Sequence, residues 1–137
     1  MKKWLLRQFA NTLAFLMFPA ILYGAYLADQ EYTVVSDFRI VTQVTNNEGV
    51  LIEGTMNKRR PCRLIDVVSV VEYEARPVVF MERGVPPMYK RPTGVQKWGP
   101  WPVTADPKDG VRLHAHHRCH DGWEHSADLT SFVVGVQ

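Results

Sequence analysis

The sequence predicts a mainly β protein, with an N-terminal transmembrane helix followed by a small antiparallel β-sandwich closed by one disulfide. Three observations carry that prediction. Phe9 to Ala28 is a run of 20 residues without a charge, set behind a basic start. From Phe38 onward apolar and polar residues alternate with period two, and β-branched types dominate. Cys62 and Cys119 are the only cysteines. At 137 residues the chain has room for one such domain and little else.

Residues 1–8 read as a cytoplasmic basic tail, because Lys2, Lys3 and Arg7 stand there with no acidic residue. Residues 9–28 match the roughly 20 residues that a helix needs to cross a bilayer's hydrocarbon core. Asn11 and Thr12 lie where they reach the headgroups, and Pro19 sits mid-span, where transmembrane helices tolerate it. A cleaved signal peptide is the competing reading. Cleavage after Ala28 or Ala25 would place Tyr26 or Tyr23 at −3, where a small residue is wanted, and the run exceeds the roughly 7–15 residues of a signal's apolar region. A signal anchor therefore leads, and a buried apolar hairpin of a soluble protein comes third. Asp29 and Glu31 follow the span, so the charge bias keeps the N-terminus cytoplasmic and the rest extracytoplasmic, periplasmic or at the cell surface. Setting the three basic residues aside leaves 13 basic against 14 acidic side chains. The net charge of +2 is thus a topology signal and no argument for nucleic-acid binding.

Residues 29–37 read as a linker and 38–137 as the β domain. Phe38–Thr45 and Val50–Met56 alternate on either side of the turn residues 45–49, which predicts a hairpin. Cys62–Glu74 reads as one long strand with an apolar centre, and Pro77–Glu82 as another. Val111–Cys119 and Asp128–Val136 supply the last two. Short strands parted by turn residues point to an antiparallel sandwich, with a small open barrel as the alternative.

Residues 83–110 hold six of the nine prolines, too many for a central strand, and the stretch is too long for an ordinary hairpin loop. A short edge strand over 95–98 fits within it. Trp98 and Trp101 fold back as a lid over one end of the sandwich on one reading. On the other, they and Tyr89 form an exposed aromatic surface that anchors a protein partner, as Trp and Tyr do at interfaces.

An isolated cysteine pair in an exported domain reads as a disulfide. Closing the loop of 56 intervening residues is worth roughly 4 kcal/mol in the chain-entropy model. The spacing is similar to that of immunoglobulin domains, and this arrangement leads among sandwich topologies. His117 stands where those domains carry a tyrosine, so no family membership follows.

All five histidines fall within residues 110–125. Taken as a strand, Val111, Leu113, Ala115, His117 and Cys119 share the core face, and Arg112, His114, His116 and Arg118 share the outer one. His114 and His116, with His120 or His125 as a third ligand, make a candidate zinc or copper site. Arg112 and Arg118 flank that pair and repel a cation, and no acidic residue lies between Asp109 and Asp121 to orient the rings. The metal reading is therefore secondary to a solvated basic face, suited when protonated to an acidic partner or lipid headgroups. His117 reads as a buried histidine whose ring nitrogens are hydrogen-bonded. Ser36, Ser69, Ser126 and Ser131 lack a nucleophile elbow, and Cys119 is expected to be oxidised. Asp121, Glu124 and His125 could supply a hydrolytic pair, but their spacing is not diagnostic.

These features together predict a non-catalytic membrane-anchored β domain that binds or scaffolds a protein partner in or near the membrane. It contacts the bilayer through residues 9–28 and uses no cofactor, nucleic acid or small-molecule substrate. A metal-handling domain and a structural subunit of a membrane complex or virion are the alternatives.

Overall fold

The computed structural model describes residues 2–79 and 91–135. Two compact units divide the chain, Met1–Tyr32 and Thr33–Gln137. The first is a single α-helix, α1 (Lys2–Glu31), with Pro19 inside it. Leu and Ala are the commonest residues of the segment, so its propensity is helical, yet it has no polar stripe and its apolar side chains are exposed.

The second unit contains seven strands among the described residues, in order β1 (Val35–Asn46), β2 (Gly49–Lys58), β3 (Arg63–Val71), β4 (Glu74–Pro77), β5 (Gly94–Val103), β6 (Gly110–Arg118) and β7 (Glu124–Val133). They form two antiparallel sheets, β1-β2-β5 and β4-β3-β6-β7. The expected first hairpin is present, with Asn46 opposite Gly49 and the Asn46 side chain accepting from the Glu48 N–H at 2.9 Å. The expected long strand 62–74 is instead a hairpin, because the chain reverses at Glu72-Tyr73 and brings Glu74 opposite Val71. Glu72 takes a positive φ of 54° there, and Tyr73 is fully exposed. The strand expected over 77–82 is not formed at its start, since Pro77 closes β4; residues 80–82 lie outside the described residues.

One apolar core serves both sheets. Val50, Ile52 and Met56 of β2 and Trp98, Trp101 and Val103 of β5 join Leu64, Val67 and Val71 of β3 and Val111, Leu113 and Ala115 of β6. The proline-rich stretch contributes to this core as a full edge strand, longer than the four residues expected. Glu53 lies between Ile52, opposite Trp101, and Gly54, opposite Trp98, so Gly99 and Pro100 together oppose one residue. That bulge turns both indoles inward although they are three residues apart. Gly54 lets the strands close, since a Cβ there would lie 1.8 Å from the Arg39 carbonyl oxygen.

Candidate functional site: the two faces of the histidine strand

Strand β6 separates its side chains as its alternation dictates. Val111, Leu113, Ala115 and His117 are buried, Arg112 and Arg118 are exposed, and His114 and His116 are half-buried on the outer face. Cys119 follows immediately and is bonded to Cys62, with a Cα–Cα distance of 4.2 Å. Arg63 pairs with Arg118, so the bond ties neighbouring strands of one sheet at their shared end. In immunoglobulin domains the corresponding bond crosses between sheets, so the similar spacing arises here from a different connection.

The outer face carries acidic partners that are absent from β6 itself. Asp66 on β3 is opposite His116, and its Oδ1 lies 2.6 Å from His116 Nδ1. Asp128 on β7 is opposite His114, and its Oδ1 contacts His114 Nδ1. A carboxylate can only accept, so each neutral ring carries its proton on Nδ1. Arg118 completes the row with Glu124, Nη2 to Oε1 at 2.7 Å. The expectation of a basic face without acidic neighbours is therefore corrected, because the neighbouring strands supply the carboxylates.

The same contacts bear on metal binding. His116 leans toward β3 and His114 toward β7, so the two rings diverge instead of converging on one ion. His120 lies in the turn after β6, where its Nδ1 accepts the Gly122 N–H at 3.1 Å and its ring meets Trp123 edge-on at 4.4 Å. His125 points into the core. Among the described residues no group of three or more His, Cys, Asp or Glu is placed to hold a metal.

The inner face ends in a buried basic cluster. His117 and His125 are directly opposite one another on β6 and β7, and both are buried. Lys58, at the end of β2 in the facing sheet, is buried too, and its Nζ donates to the Arg91 carbonyl at 2.7 Å. Arg91, also buried, donates through Nη1 to the Lys97 carbonyl. Burial, and then the Arg91 guanidinium, hold the Lys58 ammonium below its ordinary pKa. Burial is also the larger influence on His117, followed by His125, Lys58 and His116, and together they push its pKa down to about 4. The ring is thus neutral at pH 7. Its Nδ1 has no hydrogen-bond partner among the described residues, contrary to the expectation that both ring nitrogens would be satisfied.

Trp98 and Trp101 are 2% and 0% exposed. Phe38 stacks on Trp98 with ring centroids 4.3 Å apart, and Trp98 meets Trp101 at 4.5 Å. The exposed aromatic surface expected from these two residues is replaced by a core cluster, in which both large apolar rings are removed from water. Tyr89, the third residue of that expected surface, lies outside the described residues.

Sequence reasoning missed Asp66, Asp128, Lys58 and Arg91. A carboxylate set in the apolar run "LIDVVSVV" was the available signal for Asp66. Compared with family models, curated proteins and solved structures, the chain matches none of them.

Proposed function

We propose that this chain is a membrane-anchored, non-catalytic β domain that binds or scaffolds a protein partner in or near the membrane. Its N-terminus is cytoplasmic and its β unit extracytoplasmic. The observation that carries this reading is α1, a 30-residue helix with no polar stripe whose apolar side chains are exposed. Such a surface needs lipid or partner helices to cover it. The Cys62–Cys119 bond supports an oxidising compartment. With Trp98 and Trp101 in the core, partner contact is assigned to α1.

The strand order supports an immunoglobulin-like topology. Numbering the seven strands A to G, the sheets are A-B-E and D-C-F-G, which differs from the constant-type order only in where the fourth strand pairs. Asp66, His116 and Ser126 are aligned across β3, β6 and β7 in the order of a catalytic triad. Backbone N–H groups in a sheet lie in its plane, so they offer no oxyanion hole above this face, and a hydrolase reading gains nothing further.

Alkaline carbonate extraction of membranes tests the anchor, and thiol labelling of intact cells with and without reductant tests the compartment. The chain should stay in the membrane pellet, and its cysteines should label only after reduction. Release into the supernatant, or labelling without reductant, overturns the reading. Crosslinking in native membranes followed by pull-down should recover a stoichiometric protein partner through α1, and recovery of lipid alone would remove the scaffold role.

A further inference from the structure

We propose that His117 is an acid sensor built into the disulfide end of the β domain, whose protonation opens the β6–β7 end away from β2. The argument begins with position. His117 is buried, directly opposite His125 on β7 and Leu64 on β3, and Lys58 of β2 in the facing sheet lies near enough to act on it. Among the described residues, the titratable or charged groups acting on it, namely His125, Lys58 and His116, are each a cation or become one. Arg91 lies behind Lys58. The carboxylates of this region, Asp66 and Glu124, face outward, where they hold His116 and Arg118. A proton arriving on His117 therefore creates a buried charge next to like charges, and among the described residues no counter-ion faces it.

A buried imidazolium without a counter-ion is relieved by reaching water. The route is short. Among the described strands β7 is an edge, and His125 is its second residue, just past the turn that follows Cys119. Parting β6–β7 from β2 at this end exposes both rings while Leu113 and Val111 stay packed farther along. The Cys62–Cys119 bond holds β3 to β6 two residues beyond His117, so the strands remain joined and can close again at neutral pH.

In the unfolded or opened chain the ring takes up its proton near 6.5, and in the closed domain only near 4. Between those values the open state binds more protons, so closure is lost as pH falls from 6.5 toward 4 and is unaffected above 6.5. The opening constant should rise about 80-fold between pH 6.5 and pH 4, toward a limit below pH 4 of about 300-fold over its neutral-pH value, the ratio set by the two pKa values. The slope is one proton from His117.

The test uses the full chain in neutral detergent, with ¹³C at the histidine Cε1 positions. The His117 resonance should keep its neutral shift down to about pH 5. Amide exchange, corrected for its intrinsic pH dependence, should accelerate at residues 114–118 and 124–128 while that at 50–56 holds. A His117 ring that titrates near 6.5 with protection intact overturns the proposal, as does acid exchange that rises equally in every strand. Lys58→Met removes one repelling cation without touching β6 or β7. It should shrink the pH dependence of opening at 114–118, whatever it does to overall stability, and an unchanged pH dependence also refutes the electrostatic origin.

Discussion

Replacing Trp98 by alanine removes the ring that links Phe38 to Trp101. In the structure that indole lies 4.3 Å from Phe38 and 4.5 Å from Trp101 and is 2% exposed. Truncating a buried Trp costs about 3–5 kcal/mol, a large part of the ~5–15 kcal/mol that holds a domain of this size together. At ~4–8 °C per kcal/mol, the melting temperature should fall by at least about 12 °C. Trp98→Phe separates packing from chemistry. Phenylalanine keeps a ring against Phe38 and deletes the buried Nε1–H, which has no hydrogen-bond partner among the described residues. Relief of an unsatisfied donor is worth about 1–3 kcal/mol, which offsets much of the lost volume and should leave Trp98→Phe within about 1.5 kcal/mol of the parent. Pulse proteolysis of the full chain across a urea series, in detergent, reads both variants without relying on indole fluorescence. A parental midpoint for Trp98→Ala, with loss of partner binding alone, would refute the core assignment and restore the exposed-anchor reading. Equal damage from Phe and Ala would refute the account of the Nε1–H.

Gly54→Val should cost more than about 3 kcal/mol in the same assay, because the new Cβ meets the Arg39 carbonyl oxygen at 1.8 Å and β1 cannot stay paired. Gly110→Ala, with nothing within 4 Å of its Cβ, should stay within about 0.5 kcal/mol. Replacing Cys62 and Cys119 together by alanine should cost about 2–4 kcal/mol and abolish the effect of reductant on the urea midpoint. The half-exposed Asp66–His116 pair should show a coupling below about 1 kcal/mol in a double-mutant cycle, and a larger value would mark it as more than a surface ion pair.

How far the sequence can be read depends on where strand parity is preserved. On β6 alternation runs unbroken from Val111 to Arg118, so the split between His117 and the outward His114 and His116 was legible from residue order alone. On β3 a bulge between Leu64 and Asp66 shifts the phase, so Val67, Ser69 and Val71 turn inward and Asp66 turns out. Strict alternation would have placed Asp66 with Leu64 and hidden it as a partner for His116. Trp98 and Trp101 fail for the same reason, since an odd spacing places two side chains on opposite faces unless a bulge intervenes. The reversal at Glu72-Tyr73 was invisible because neither residue is a customary turn former. Alternation along β2 places Lys58 on the inward face with Ile52 and Met56, although a lysine is an uncommon core residue; Arg91 lies outside any strand, so no period marks its burial.

The prolines of β5 have a consequence for neighbouring molecules. Among the described residues strand β5 is an edge, and Pro100 and Pro102 lack the backbone N–H that any other residue would carry there. Because they cannot donate, an incoming strand finds gaps in the row of bonds it would need. The prolines that obscured this strand in the sequence therefore discourage two copies of the β unit from zipping into one continuous sheet.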